Sequence, residues 1–216
     1  ASNAGYLATP SKDNLKLGHT FTDDDLSGAD LSGAINEWIL NSSIATGKYG
    51  HINTWDVSQV TNMSELFKDK SGFNDDIGWW DVNNVLDMTS MFNGATAFKQ
   101  NLNMWTLKDT AVTVENMFLG ATNAGYLNPP VIGANNKLGY HFPDRTSLKD
   151  AVDLWTSPSS TATYGHINTW DVSMVTDMSY LFENKTFNDD IGWWDVSNVT
   201  NMSSMFQNAT NFNQDI

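Results

Sequence analysis

Residues 55–67 read Trp55-Asp56-Val57-Ser58-Gln59-Val60-Thr61-Asn62-Met63-Ser64-Glu65-Leu66-Phe67, and the same pattern returns at a nearly fixed interval. Trp80-Asp81-Val82 opens a second register with Met88, Met91 and Phe92. Trp105 opens a third, in which one inserted residue precedes Met117-Phe118. Trp170-Asp171-Val172-Ser173 opens a fourth with Met178, Leu181 and Phe182, and Trp194-Asp195-Val196-Ser197 a fifth with Met202, Met205 and Phe206. In four registers another phenylalanine trails: Phe73, Phe98, Phe187 and Phe212. Self-similarity with a period of roughly 25 residues marks a stacked-repeat architecture, because one such unit cannot bury its apolar face alone.

A longer period overlies the first. Asn3-Ala4-Gly5-Tyr6-Leu7 recurs at Asn123 to Leu127, and Tyr49-Gly50-His51-Ile52-Asn53-Thr54-Trp55-Asp56-Val57 recurs unchanged at Tyr164 to Val172. The chain therefore divides into a first repeat block, 1–124, with coils from Trp55, Trp80 and Trp105, and a second, 125–216, with coils from Trp170 and Trp194. Pro129-Pro130 and the Gly/Asn-rich stretch after it mark the boundary. Phe212 to Ile216 stops just before another tryptophan is due, so the second block reads as cut short and the whole as part of a longer array. Ser2-Asn3-Ala4 also reads as a cloning remnant.

Val60, Met63 and Phe67 fall at helical spacing with Leu66 beside them, which predicts a short helical turn capped by Ser58 or Thr61. Trp80-Asp81-Val82 reads as a short strand and Phe73 to Ile77 as an extended or turn segment. The tryptophans Trp55, Trp80, Trp105, Trp170 and Trp194 are expected in the core. With them go Met63, Met88, Met178, Met202, Phe67, Phe92, Phe118, Phe182 and Phe206. Leu31, Ile35, Trp38 and Ile39 form one stripe, and Leu148, Ala151, Val152 and Trp155 another. These predict amphipathic cap helices at about 26–40 and 147–155. The fold class expected is an α/β-type repeat solenoid of short strands and short helical turns.

The composition excludes much. There are 25 acidic against 11 basic side chains, a formal charge of −14 and one arginine, Arg145, so neither nucleic acid nor an anionic membrane surface is an expected partner. A 40% hydrophobic fraction with 9 Trp and 11 Phe is too apolar for disorder. Zero cysteine removes thiol catalysis, disulfides and thiolate metal sites. No apolar run is long enough to span a bilayer, and no signal peptide opens the chain.

Trp194 to Ile216 resembles the 25–26-residue repeat of BspA-like leucine-rich-repeat bacterial surface proteins, with relatives among mycoplasma and Listeria surface lipoproteins. Ala151 to Trp155 followed by Tyr164 to Trp170 is similar to the lead-in many members place before their repeats. The resemblance implies a leucine-rich-repeat-like solenoid on a cell-surface or extracellular protein, often linked to adhesion, and it carries over no catalytic residue. The third coil departs from the pattern, since Trp105-Thr106-Leu107-Lys108 lacks Asp-Val-Ser.

No phosphate loop, His-Glu-x-x-His pair or Gly-x-Ser-x-Gly elbow is present, and His51 and His166 occupy equivalent places that suit a scaffold. A non-enzymatic module without a required cofactor is expected. Asp75-Asp76 and Asp189-Asp190 recur in equivalent loops, each after an asparagine (Asn74 and Asn188), and Asp23 to Asp25 is a third cluster. These offer the hard oxygens calcium takes, against the simpler reading of turn chemistry and solubility. Trp79 and Trp193 precede repeat tryptophans where other coils carry Thr54, Met104 and Thr169. On an extended segment they point away from the core, as platforms for a sugar ring or protein partner, or they pack on a neighbouring coil. Two function classes follow. One is adhesion to a surface protein, matrix or glycan through Trp79, Trp193 and the acidic pairs; the other is a structural spacer or self-assembling element that binds neighbouring copies of itself.

Overall fold

The computed structural model describes residues 18–23, 30–133, 135–155, 161 and 163–216. Regular elements among the described residues include β1 (Thr20–Thr22), α1 (Leu31–Leu40), α2 (Ser42–Tyr49), β2 (Asp56–Gln59) and α3 (Arg145–Leu154). Short 3₁₀ turns at Ile52–Thr54 and Ile167–Thr169 lead into Trp55 and Trp170. β1 and β2 pair in parallel, Thr20 opposite Asp56 and Thr22 opposite Gln59.

The cap helices start where an aspartate satisfies an orphan amide. The Asp30 carboxylate accepts from Gly33 N–H and the Asp144 carboxylate from Ser147 N–H. The first helix occupies 31–40 of the expected 26–40, residues 26–29 lying outside those described. It buries Leu31, Ala34, Ile35 and Trp38 but exposes Ile39, which the stripe had included. The second begins at 145 and ends at 154, burying Leu148, Ala151 and Val152. The sequence reading missed α2. Asn41 makes it: its N–H closes α1 on the Glu37 carbonyl, while its side chain accepts from Ser43 and Ile44 N–H at 3.1 and 3.2 Å.

After each cap the chain winds in stacked coils, and the backbone bonding differs from the helical turn expected over Val60 to Phe67. The N–H groups of Met63, Glu65, Phe67 and Asp69 donate to the carbonyls of Asp87, Thr89, Met91 and Asn93 in the next coil. Those of Leu66, Lys68 and Lys70 turn back to Met63, Glu65 and Phe67, and Ser64 N–H takes the Asn62 side chain at 2.8 Å. Every amide from 63 to 70 is thereby paired. The alternation repeats from Met88, Ser90, Phe92 and Gly94 to the third coil, and from Met178, Tyr180, Phe182 and Asn184 to the fifth. An α-helix would direct all these amides within one coil; here half of them join coils. Two left-handed residues per coil bend the chain to allow it. They are Glu65 and Asp69, Ser90 and Gly94, Asn116 and Gly120, Tyr180 and Asn184, Ser204 and Asn208. Trp80-Asp81-Val82 is likewise not a strand. Single parallel bridges, Asn62 to Asp87 to Thr113 and Asp177 to Asn201, stand in place of longer ladders.

Side chains stack in register with the backbone. Phe67, Phe92 and Phe118 form one column at 5.3 and 5.4 Å between centroids and within 4° of parallel. Phe182 and Phe206 repeat it in the second block at 5.4 Å. Three repeat tryptophans send the indole N–H to the preceding coil, Trp80 to Ile52 O, Trp105 to Ile77 O and Trp194 to Ile167 O, at 2.9 to 3.0 Å, while Trp55 and Trp170, which open their stacks, donate to Gly50 O and Gly165 O at 3.0 and 3.3 Å. That bond lets a large ring be buried without an orphaned donor.

Of the expected core, Met202 is the exception. It is 44% exposed, whereas its equivalents Met63, Met88 and Met178 are buried beneath a following coil. Phe206 is only partly buried for the same reason. The first buried cluster runs from Phe21 past residue 124 to Tyr126 and Leu138, and the second begins at Phe142. Tyr126 stacks on Phe118 at 4.9 Å, and its hydroxyl accepts from Leu102 N–H at 2.8 Å. Burial pushes the Tyr126 phenol well above its ordinary pKa, against the pull of that backbone bond. Asn128 accepts from Phe118 N–H at 3.1 Å, closing the end of the first stack.

Candidate recognition surface

The acidic loops are built by turn chemistry. Asp76 and Asp190 each accept from the amide two residues on, Gly78 and Gly192, both at 2.9 Å. Asp75 accepts the indole N–H of Trp38 at 3.0 Å, and Asp189 that of Trp155 at 2.8 Å. The same two-residue turn recurs at Asp56, Asp81, Asp87, Asp109, Asp171, Asp177 and Asp195. Much of the negative charge therefore serves the backbone. Among the described residues no three His, Asp or Glu side chains converge as a metal site. Asp23 accepts from Thr61, and Asp24 and Asp25 lie outside the described residues. In each acidic pair one carboxylate is tied to a cap tryptophan and the other to its own turn.

The two repeat histidines hold the 3₁₀ turns: His51 and His166 Nδ1 lie 2.8 and 2.9 Å from the Asn53 and Asn168 side chains. A further polar chain escaped the sequence reading. His141 Nδ1 lies 3.0 Å from Asp171 Oδ2, and Ser173 Oγ donates to Asp171 Oδ1 at 2.7 Å. Asn135 Nδ2 donates to Ser173 Oγ at 2.7 Å. The carboxylate stands between serine and imidazole, so the imidazole is not placed to take the serine proton, as a nucleophilic triad requires. The clue lay in His141, which stands where the first block has Thr20.

The two exposed-tryptophan candidates part company. Trp79 is half-buried within the first stack, and Trp193 is 42% exposed at the junction of the two stacks. There a cleft of about 590 Å³ gathers Trp193 and Asp190 with Lys99, Gln100, Asn101, Asn123, His166 and Asn168. The junction is hydrogen-bonded shut beneath it. Asn101 and Asn103 both donate to Asn168 O, at 2.7 and 3.2 Å, and His166 N–H donates to Gly125 O at 2.8 Å. Of the predicted site residues, the structure brings Trp193 and Asp190 together, places Asp189 beside them against Trp155, and leaves Trp79, Asp75 and Asp76 elsewhere. Sequence spacing had not revealed the amide-bearing residues from the end of the first stack.

A stack of tryptophan-led coils under helical caps, with a polar cleft where two stacks meet, defines a repeat protein with a candidate binding surface at that junction. The chain belongs to the family described as Mycoplasma protein of unknown function, DUF285, whose model matches residues 41–128 and 142–216. Those two stretches correspond closely to the two stacks. No curated protein and no solved structure matched the chain.

Proposed function

We propose that the chain is a leucine-rich-repeat-like solenoid segment of a cell-surface or extracellular protein, akin to the BspA-like surface proteins it resembles, and that it is a non-enzymatic recognition module. The observation that carries this reading is the exposed indole of Trp193 in a cleft rimmed by amide, carboxylate and ammonium groups. An aromatic platform beside unspent hydrogen-bonding groups is the composition of a binding site. The partner is a surface protein, matrix component or glycan. Among the described residues no helix is long and apolar enough to cross a membrane.

The test is retention of the protein on immobilised matrix proteins and glycans, comparing native protein with Trp193→Ala and Trp79→Ala. Retention lost in Trp193→Ala and kept in Trp79→Ala supports the cleft as the recognition site. Equal retention of all three, or none by the native protein, refutes it.

A further inference from the structure

We propose that the inter-stack cleft takes a neutral oligosaccharide, with one sugar ring stacked on Trp193; this rests on the recognition reading and narrows its ligand. The lining decides between a sugar and a peptide. A protein partner is held by several apolar or aromatic anchors in desolvated pockets, and this cleft offers one indole and the His166 imidazole among polar side chains. A pyranose has the complementary make-up, with an apolar C–H face for the indole and a rim of hydroxyls that both donate and accept.

The polar groups are held ready for such a rim. Gln100 spends its amide N–H on Asn74 O at 2.7 Å, and Asn123 spends its own on Thr96 O at 2.7 Å. Each is therefore anchored by its NH₂ and keeps its side-chain oxygen as an acceptor. Asp190 Oδ1 is committed to Gly192 N–H, leaving Oδ2 without a partner among the described residues, and Lys99 Nζ supplies a donor. Groups fixed by their own hydrogen bonds lose little freedom on binding. A cleft of about 590 Å³ has room for more than one ring. Charge selects the neutral class: the chain carries −14 and Asp190 lines the cleft, so sialylated or sulfated glycans meet a repelling field.

The experiment titrates the full chain against uncharged oligosaccharides, their sialylated and sulfated counterparts, and deglycosylated matrix proteins. Native protein, Trp193→Phe, Trp193→Ala and Gln100→Ala are compared, with near-ultraviolet circular dichroism as the check on folding. Neutral sugars are expected to bind, Trp193→Phe to retain binding, Trp193→Ala to abolish it, and Gln100→Ala to weaken it about tenfold, the loss of one hydrogen bond. Preference for charged glycans overturns the proposal. Trp193-dependent binding to a deglycosylated protein overturns it while leaving the recognition reading intact, and no binding to any probe removes both.

Discussion

Trp155 at the end of α3 donates its indole N–H to Asp189 Oδ2 at 2.8 Å, and Trp38 in α1 makes the equivalent bond to Asp75 at 3.0 Å. Each cap is thus fastened to the loop that leads into the next tryptophan of its own stack. Trp155 also meets Trp170 edge to face at 5.5 Å, so its ring and its N–H act on different partners. Trp155→Phe keeps much of the ring contact and loses the bond. It is expected to lower unfolding free energy by about 1–2 kcal/mol. Asp189→Ala should cost a similar amount. The double variant should cost less than the sum, with a coupling of about 1 kcal/mol by urea denaturation. Strict additivity would show that the bond contributes nothing.

Arg145, the sole arginine, ties α3 to a carbonyl of the second stack. Its Nε and one terminal nitrogen donate to Ser179 O at 3.1 and 2.8 Å. Arg145→Met should destabilise by about 1.5–3 kcal/mol, the range for hydrogen bonds from a charged group. Arg145→Lys, with its point charge and no planar fork, should recover only part. A thermal melt in which methionine matches arginine would contradict this role.

Gly94 takes the second left-handed position of its coil at φ +74, and a Cβ there would stand 2.7 Å from Asp69 Oδ1. Gly94→Ala is therefore expected to destabilise by about 1–2 kcal/mol. The opposite sign, a gain of about 0.4–1 kcal/mol, is what glycine-to-alanine replacement gives where the backbone is unstrained. Chemical denaturation decides between them.

Several aspartates titrate below their ordinary range. Backbone and hydroxyl bonds from Ser147 lower Asp144, and those from Ser179 lower Asp177. For Asp153 burial works upward, but hydrogen bonds from Lys149 and Lys185 outweigh it. For Asp195 burial again works upward, outweighed by bonds from Ser197. A carboxylate whose folded pKa is depressed stabilises the fold above its unfolded value, about 3.9 for aspartate, and loses that contribution as pH falls through the folded value. The melting temperature should stay level from neutrality to about pH 5 and then fall steeply below about pH 4. Asp177→Asn should have a shallower acid limb. An acid limb unchanged in that variant would remove Asp177 from the account.

The period, the tryptophan core and the phenylalanine columns were legible because each coil repeats the same apolar positions. The backbone path was not. Val60, Met63 and Phe67 share one side in a helix, and they also share it in this chain of turns, so spacing alone does not separate the two. The second left-handed position carried a readable sign, occupied by Asp69, Gly94, Gly120, Asn184 and Asn208. The first did not, since Glu65 and Tyr180 have no local reason to adopt that conformation and are held there by the neighbouring coil. Met202 failed because its burial depends on what lies over it. Trp193 and Asp190 were recognisable as chemistry, but Gln100 and Asn123 join them only through contact between stacks.

The most direct measurement is the indole N–H spectrum of the full chain, with Trp193 assigned by its substitution, recorded as an uncharged oligosaccharide is added. The cleft reading predicts that the Trp193 signal shifts in a saturable way while those of Trp79 and the buried Trp80 and Trp194 hold their positions. A saturable shift at Trp79 with Trp193 unmoved would contradict it.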